Sequence, residues 1–209
     1  PCLHVGGRWP PTPFFAAQTC QQKDFIMESD KLIAPPTRTW PCVSLIGMAG
    51  CGKSTVAASL ARDLDWAMID SDNLIEALYG TRLQDVADAF GKEKFLDVEC
   101  GMICSIRAAR AVIATGGSVV YKKAAIGHLQ SLGPVVWLDV PFELIEERIA
   151  RNPERGLAIA PGQTLADLHN ERAELYRNAA TLTCPAAGLS PSQISAWIRE
   201  RLPEDFLGA

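Results

Sequence analysis

The chain has 209 residues, 48% of them hydrophobic and 21% charged, which suits one well-buried domain rather than two. A formal net charge of -4, with basic residues scattered along the chain, lacks the footprint of a nucleic-acid or anionic-membrane binder and points to a small-molecule partner. No apolar run approaches the roughly 18 residues of a membrane span, so a cytoplasmic setting is expected, with the seven irregularly spaced cysteines reduced.

Residues 1–40 are rich in Pro and Gly, as in GGRWPPTPFF, and carry neither a helical nor a strand period. They are read as an irregular extension preceding a domain over 41–209. From Cys42 onward, short apolar runs alternate with helical stretches, the pattern of a parallel sheet with crossover helices. Strands are predicted near 42–47, 66–70, 111–115, 135–140 and 181–184. Helices are predicted near 53–64, 72–79, 83–90, 92–109, 122–131, 142–151, 164–178 and 191–201. The last opens with SPSQ, placing Ser190 at the N-cap and Pro191 in the first turn. The expected fold is one three-layer, doubly wound α/β domain.

The stretch GMAGCGKST, Gly47 to Thr55, fits G-x-x-x-x-G-K-S/T through Gly47, Gly52, Lys53 and Ser54. Ala49, Gly50, Cys51 and Thr55 complete the stretch. It follows an apolar strand and opens a helix, so its backbone N–H groups can turn inward on an anion while the helix N-terminus adds partial positive charge. A nucleotide's phosphate chain fits there, with Lys53 on the terminal phosphates and Ser54 on Mg²⁺. The three histidines, His4, His128 and His169, form no cluster that would build a separate metal site.

The second predicted strand ends in MIDSDNLIE, which puts Asp70 and Asp72 at a carboxyl edge, where open α/β sheets bind ligands. One acid can serve Mg²⁺ and the other an acceptor hydroxyl. Asp72 could instead cap the following helix, and Asp139, ending the run VVWLD, is a competing metal carboxylate.

With these residues the chain resembles the shikimate kinases, over about Cys42 to Arg201. The resemblance rests on GMAGCGKST, DSD at Asp70 to Asp72, GKEKFLDVE at Gly91 to Glu99, ATGGS at Ala114 to Ser118, NPERG at Asn152 to Gly156 and ERAELY at Glu171 to Tyr176. It implies ATP and Mg²⁺ as cosubstrates and a five-stranded parallel sheet in the order 2-3-1-4-5. It also implies Asp70 as Mg²⁺ carboxylate, Asp72 on the acceptor hydroxyl and possible base, Gly116 and Gly117 where backbone approaches the acceptor, Arg155 as lid arginine, Arg172 on the acceptor carboxylate and Arg148 near adenine. The adenine pocket is expected around Cys184 to Ala187, and the chain is expected to act as a monomer.

The pattern breaks at Leu96, where the family carries an arginine that holds the shikimate carboxylate. Losing one partner of a buried charge pair costs about 2 to 5 kcal/mol, so Leu96 is expected in the acceptor pocket and an altered acceptor such as homoserine is expected with it. Shikimate itself is the rival acceptor. Arg107 is a poor replacement for the missing cation, lying eleven residues beyond Leu96 and about 16 Å along a helix. A non-catalytic nucleotide-binding regulatory protein is the alternative of another class, opposed by the joint presence of Lys53, Asp70, Asp72, Arg155 and Arg172.

Overall fold

The computed structural model describes residues 41–151 and 162–207. The expected extension over 1–40 and the lid residue Arg155 lie outside the described residues.

Five short strands, β1 (Val43–Ile46), β2 (Ala67–Asp70), β3 (Ala111–Ala114), β4 (Val135–Asp139) and β5 (Leu182–Pro185), pair in parallel in the order β2-β3-β1-β4-β5. The three central strands are apolar almost without interruption because helices cover both sheet faces. β2, at the edge, is half exposed. The register sets Leu45 beside Ala114 and Val136, so the ends of β1 and β3 open side by side at one rim.

The helices are α1 (Lys53–Leu64), α2 (Ser71–Tyr79), α3 (Leu83–Phe90), α4 (Lys92–Ser105), α5 (Lys123–Leu132), α6 (Phe142–Ala150), α7 (Leu165–Ala179), α8 (Pro191–Arg199) and α9 (Glu204–Leu207). Local chemistry starts several of them. Thr164 and Asp167 form a capping box on α7, and Ser190 and Gln193 form one on α8 with Pro191 in the first turn. A second apolar cluster of Ile75, Val86 and Phe95, flanked by Tyr79 and Phe90 in edge-to-face contact, ties α2, α3 and α4 into a lobe beside the sheet.

Three elements differ from expectation. α4 ends at Ser105 rather than near 109, because Ile106 takes an extended conformation that buries its side chain in the main core. A 3₁₀ turn at Val119–Tyr121 and the short α9 carry no period long enough to read in the sequence. Among the described residues, Cys42, Cys51, Cys100, Cys104 and Cys184 are free thiols, and no helix is long and apolar enough to cross a membrane.

Candidate active site

The turn between β1 and α1 holds the glycine loop. Gly52 caps α1 at φ 101°, and Gly47 sits at φ 144°, where a Cβ would lie 2.9 Å from Cys51 Sγ and 3.0 Å from the Leu138 carbonyl oxygen. Lys53, only 8% exposed, donates from Nζ to the carbonyls of Gly47 (2.8 Å) and Met48 (2.9 Å), curling back over the loop. From the outer side, Arg148 Nη1 donates to the carbonyls of Gly50 (3.1 Å) and Cys51 (3.4 Å). The residue expected near adenine therefore braces the loop from α6.

Ser54 Oγ donates to Asp70 Oδ2 at 2.6 Å, joining the first turn of α1 to the end of β2. The two candidate acids are placed differently. Asp70 stands beside the loop serine, whereas Asp139 ends β4 and does not line the cavity. Asp70 also caps α2, its Oδ1 accepting from the N–H groups of Asp72 (3.0 Å) and Asn73 (3.4 Å), so the alternative of Asp72 as cap is corrected. The helix begins one residue earlier than predicted, at Ser71, and Asp72 lies in its first turn.

A cavity of about 510 Å³ runs from the loop across the ends of β2 and β3 to the α2–α4 lobe. Ala49, Gly50, Gly52, Lys53, Ser54, Asp70, Asp72, Gly116, Gly117 and Arg172 all line it. Gly47, Cys51, Thr55 and Arg148 do not: Gly47 and Cys51 are inside the loop's packing, Thr55 is exposed on α1, and Arg148 is behind the loop. Leu96 is also absent from the lining. It is half-buried on the flank of α4, and the wall is made by Phe95 and Glu99. The expectation that Leu96 lines the pocket is thus corrected: it stands about 100° round the helix from Phe95 and about 60° from Glu99, at the margin of the face those two present to the cavity.

Gly116 shows how tight the wall is. A Cβ there would collide with Glu99 Oε1 and lie 2.9 Å from Asp72 Oδ1. Gly116 N–H donates to Ser71 Oγ at 3.1 Å, locking the β3 exit against α2. Glu99, 5% exposed, accepts a very short hydrogen bond from Ser118 Oγ. Burial pushes its carboxyl up to about 7, with the Ser118 bond opposing, the Asp72 charge adding, and Arg172 and Lys53 opposing.

Arg172 is 2% exposed and so lies inside the fold rather than on a solvated helix face. Its Nε donates to Tyr121 OH at 3.2 Å, its guanidinium carbon lies 5.1 Å from the centre of the Tyr121 ring, and its Nη2 has no hydrogen-bond partner. Tyr176, one turn on, donates to the Gly117 carbonyl at 2.5 Å and stacks near Trp137. A buried guanidinium with an orphaned nitrogen in a cavity wall has the chemistry to receive an anion.

Sequence reasoning left Glu99, Ser118, Phe95 and Arg82 without a role, yet all four line the cavity. The signal for Glu99 was its place four residues after Phe95, on one helical face.

Comparison with known proteins follows this geometry. A family model described as shikimate kinase matches residues 49–203. The chain is 38% identical over 168 residues to a shikimate kinase of Gloeobacter violaceus, covering 77% of this chain and 94% of that protein. It is 33% identical over 164 residues to one of Rippkaea orientalis, covering 77% and 87%. Among solved structures, the shikimate kinase of Acinetobacter baumannii in complex with shikimate superposes with a TM-score of 0.71 at 30% identity, covering 78% of this chain and 92% of that one. The enzyme from Aquifex aeolicus gives 0.67 at 27% identity, covering 80% and 99%.

Proposed function

Because the chain belongs to the shikimate kinase family, a family of small-molecule kinases acting on a hydroxyl, we propose that it phosphorylates a hydroxyl of a small carboxylate-bearing acceptor, with shikimate as that acceptor. One observation carries the reading: the Ser54–Asp70 pair at the phosphate loop and the orphaned Arg172 guanidinium line the same cavity.

The donor set fits ATP with Mg²⁺. Ser54 Oγ and Asp70 Oδ2, 2.6 Å apart, are hard oxygen donors beside the glycine loop, suited to hold Mg²⁺. Bound ATP supplies the phosphoryl group and Mg²⁺ neutralises charge on its oxygens. The chain's own residues position and stabilise. Lys53, which here holds two loop carbonyls, exchanges them for phosphate oxygens. Arg148 keeps the loop in shape from outside. Arg172 holds the acceptor carboxylate, Gly116 lets the acceptor approach the β3 exit, and Asp72 takes the hydrogen bond of the reacting hydroxyl. Arg155 belongs to this scheme as the lid cation over the transferred group, which would also exclude water.

A second reading takes a short hydroxy amino acid such as homoserine. Its support is the acid pair on one wall: Asp72 and Glu99 both approach Gly116, where an ammonium group would find two carboxyls, and α4 lines the cavity with Glu99 and Phe95 but no cation. An ADP-release assay on the full chain with ATP and Mg²⁺ separates the two. Turnover on shikimate with homoserine at background supports the first reading, the reverse supports the second, and background rates with both reject the proposal.

A further inference from the structure

Resting on that reading, we infer that Arg82 is a second specificity residue, gripping the acceptor's carboxylate from the α2–α3 corner while Arg172 grips it from α7. Among the described residues, three cationic side chains line the cavity: Lys53, Arg172 and Arg82. Lys53 belongs to the phosphate loop, which leaves the two guanidiniums for the acceptor side. Arg82 immediately precedes α3 and shares its part of the wall with Asn73, Glu76, Leu83 and Gln84.

The corner is built to hold that side chain at the cavity. Glu76 Oε1 accepts from the Leu83 N–H at 2.8 Å, pinning the start of α3 to α2. Arg82 donates from Nε and Nη2 to the two oxygens of Asp85, both at 3.2 Å, and Thr81 Oγ1 donates to Asp85 Oδ2 at 3.0 Å. The guanidinium plane is thereby oriented by a carboxylate in the forked geometry it would use on a ligand. The Arg82 side chain is 70% exposed and that of Asp85 44% exposed, so their pairing is a weak surface one. An acceptor carboxylate in a partly desolvated cavity competes well against it.

The chemistry of the wall favours this role over a passive surface pair. The cavity also carries Asp70, Asp72, Glu76 and Glu99. A single buried arginine among four acids is a poor trap for an anionic acceptor, and a second guanidinium at the opening both attracts it and adds a second hold on its carboxylate.

The test is a cycle between protein and ligand. Binding of shikimate and of homoserine, each as the free acid and as the uncharged carboxamide, is measured by calorimetry on the full wild-type chain and on Arg82→Ala and Arg82→Lys, with MgADP present. Arg82→Ala is expected to weaken binding of the recognised acid about ten- to thirtyfold, to leave binding of its carboxamide unchanged within twofold, and to leave MgADP affinity unchanged. Arg82→Lys recovers part of the loss, as a point charge without the fork. Equal losses for acid and carboxamide, or no loss for either, would overturn the inference and leave the kinase reading intact. Failure of the wild-type chain to bind either acid would overturn the acceptor reading itself, and the inference with it.

Discussion

Glu99→Gln is predicted to make the protein more stable, by an amount that grows with pH. Glu99 is 5% exposed and its carboxyl is raised from the ordinary 4.5 to about 7, chiefly by burial, with the nearby Asp72 charge adding to the effect and the Ser118 bond, Arg172 and Lys53 opposing it. A folded-state value above the unfolded one means that stability is fully present below about 4.5 and is lost as pH rises through about 7. At about 1.4 kcal/mol for each pKa unit, the full loss is about 3 kcal/mol, of which about 1 kcal/mol has gone by pH 5. Glutamine is neutral throughout, keeps nearly the same shape, and its amide oxygen can still accept from Ser118 Oγ. For a domain of this size the melting temperature of the variant should therefore exceed that of the wild type by a margin widening by about 5–10 °C between pH 5 and pH 8. Scanning calorimetry without nucleotide or acceptor, at matched ionic strength, reads it directly. A margin independent of pH, or a variant less stable than wild type at pH 8, would refute the assignment of Glu99 as a strained buried acid.

Other substitutions address separate parts of the site. Gly116→Ala places a methyl group against Glu99 and Asp72, so it should lower the melting temperature by an amount corresponding to about 1–3 kcal/mol and raise the acceptor KM far more than the ATP KM; unchanged acceptor kinetics would contradict the close approach. Asp70→Asn retains an N-cap for α2 but loses a metal carboxylate, so folding stability should stay within about 0.5 kcal/mol while kcat falls at least about a hundredfold; Asp70→Ala should lose about a further 1 kcal/mol of stability in urea titration. Arg148→Ala removes two hydrogen bonds to the loop and should raise the ATP KM about threefold to tenfold with the acceptor KM unmoved in steady-state kinetics.

What could be read from the sequence follows from how contiguous each part of the site is. The phosphate loop is nine consecutive residues between a strand and a helix, and local rules sufficed to place Lys53 and Ser54. The sheet was equally legible, because three buried parallel strands have to be apolar on both faces. The acid that stands beside Ser54 was not decidable locally. Asp70 and Asp139 each end an apolar run, and only the strand order, which puts β3 between β1 and β2, brings α1 and the end of β2 together. The same limit applies to Arg172, whose burial depends on Tyr121 and Gly117, both more than fifty residues away in the chain.

α4 shows the most instructive miss. Position within a motif led to Leu96 as the pocket residue, whereas helical period leads to Phe95 and Glu99, four apart on the buried face. A side chain at 96 starts on the flank, so only a long one could bend round to the cavity, and leucine stops short of it. α4 therefore presents a hydrocarbon ring and a carboxyl to the acceptor, and no positive charge. An anionic group bound here has to be held from other elements. Among the described residues, the guanidiniums in the wall that could do so are Arg172 on α7 and Arg82 at the α2–α3 corner. Arg172 is buried in the wall, whereas the Arg82 side chain is 70% exposed and pairs with Asp85, so the acceptor's position should be set chiefly by Arg172 and its capture helped by Arg82. Truncating Arg82 should then slow acceptor association more than truncating Arg172 does, while truncating Arg172 should speed release more, a division that stopped-flow binding can resolve.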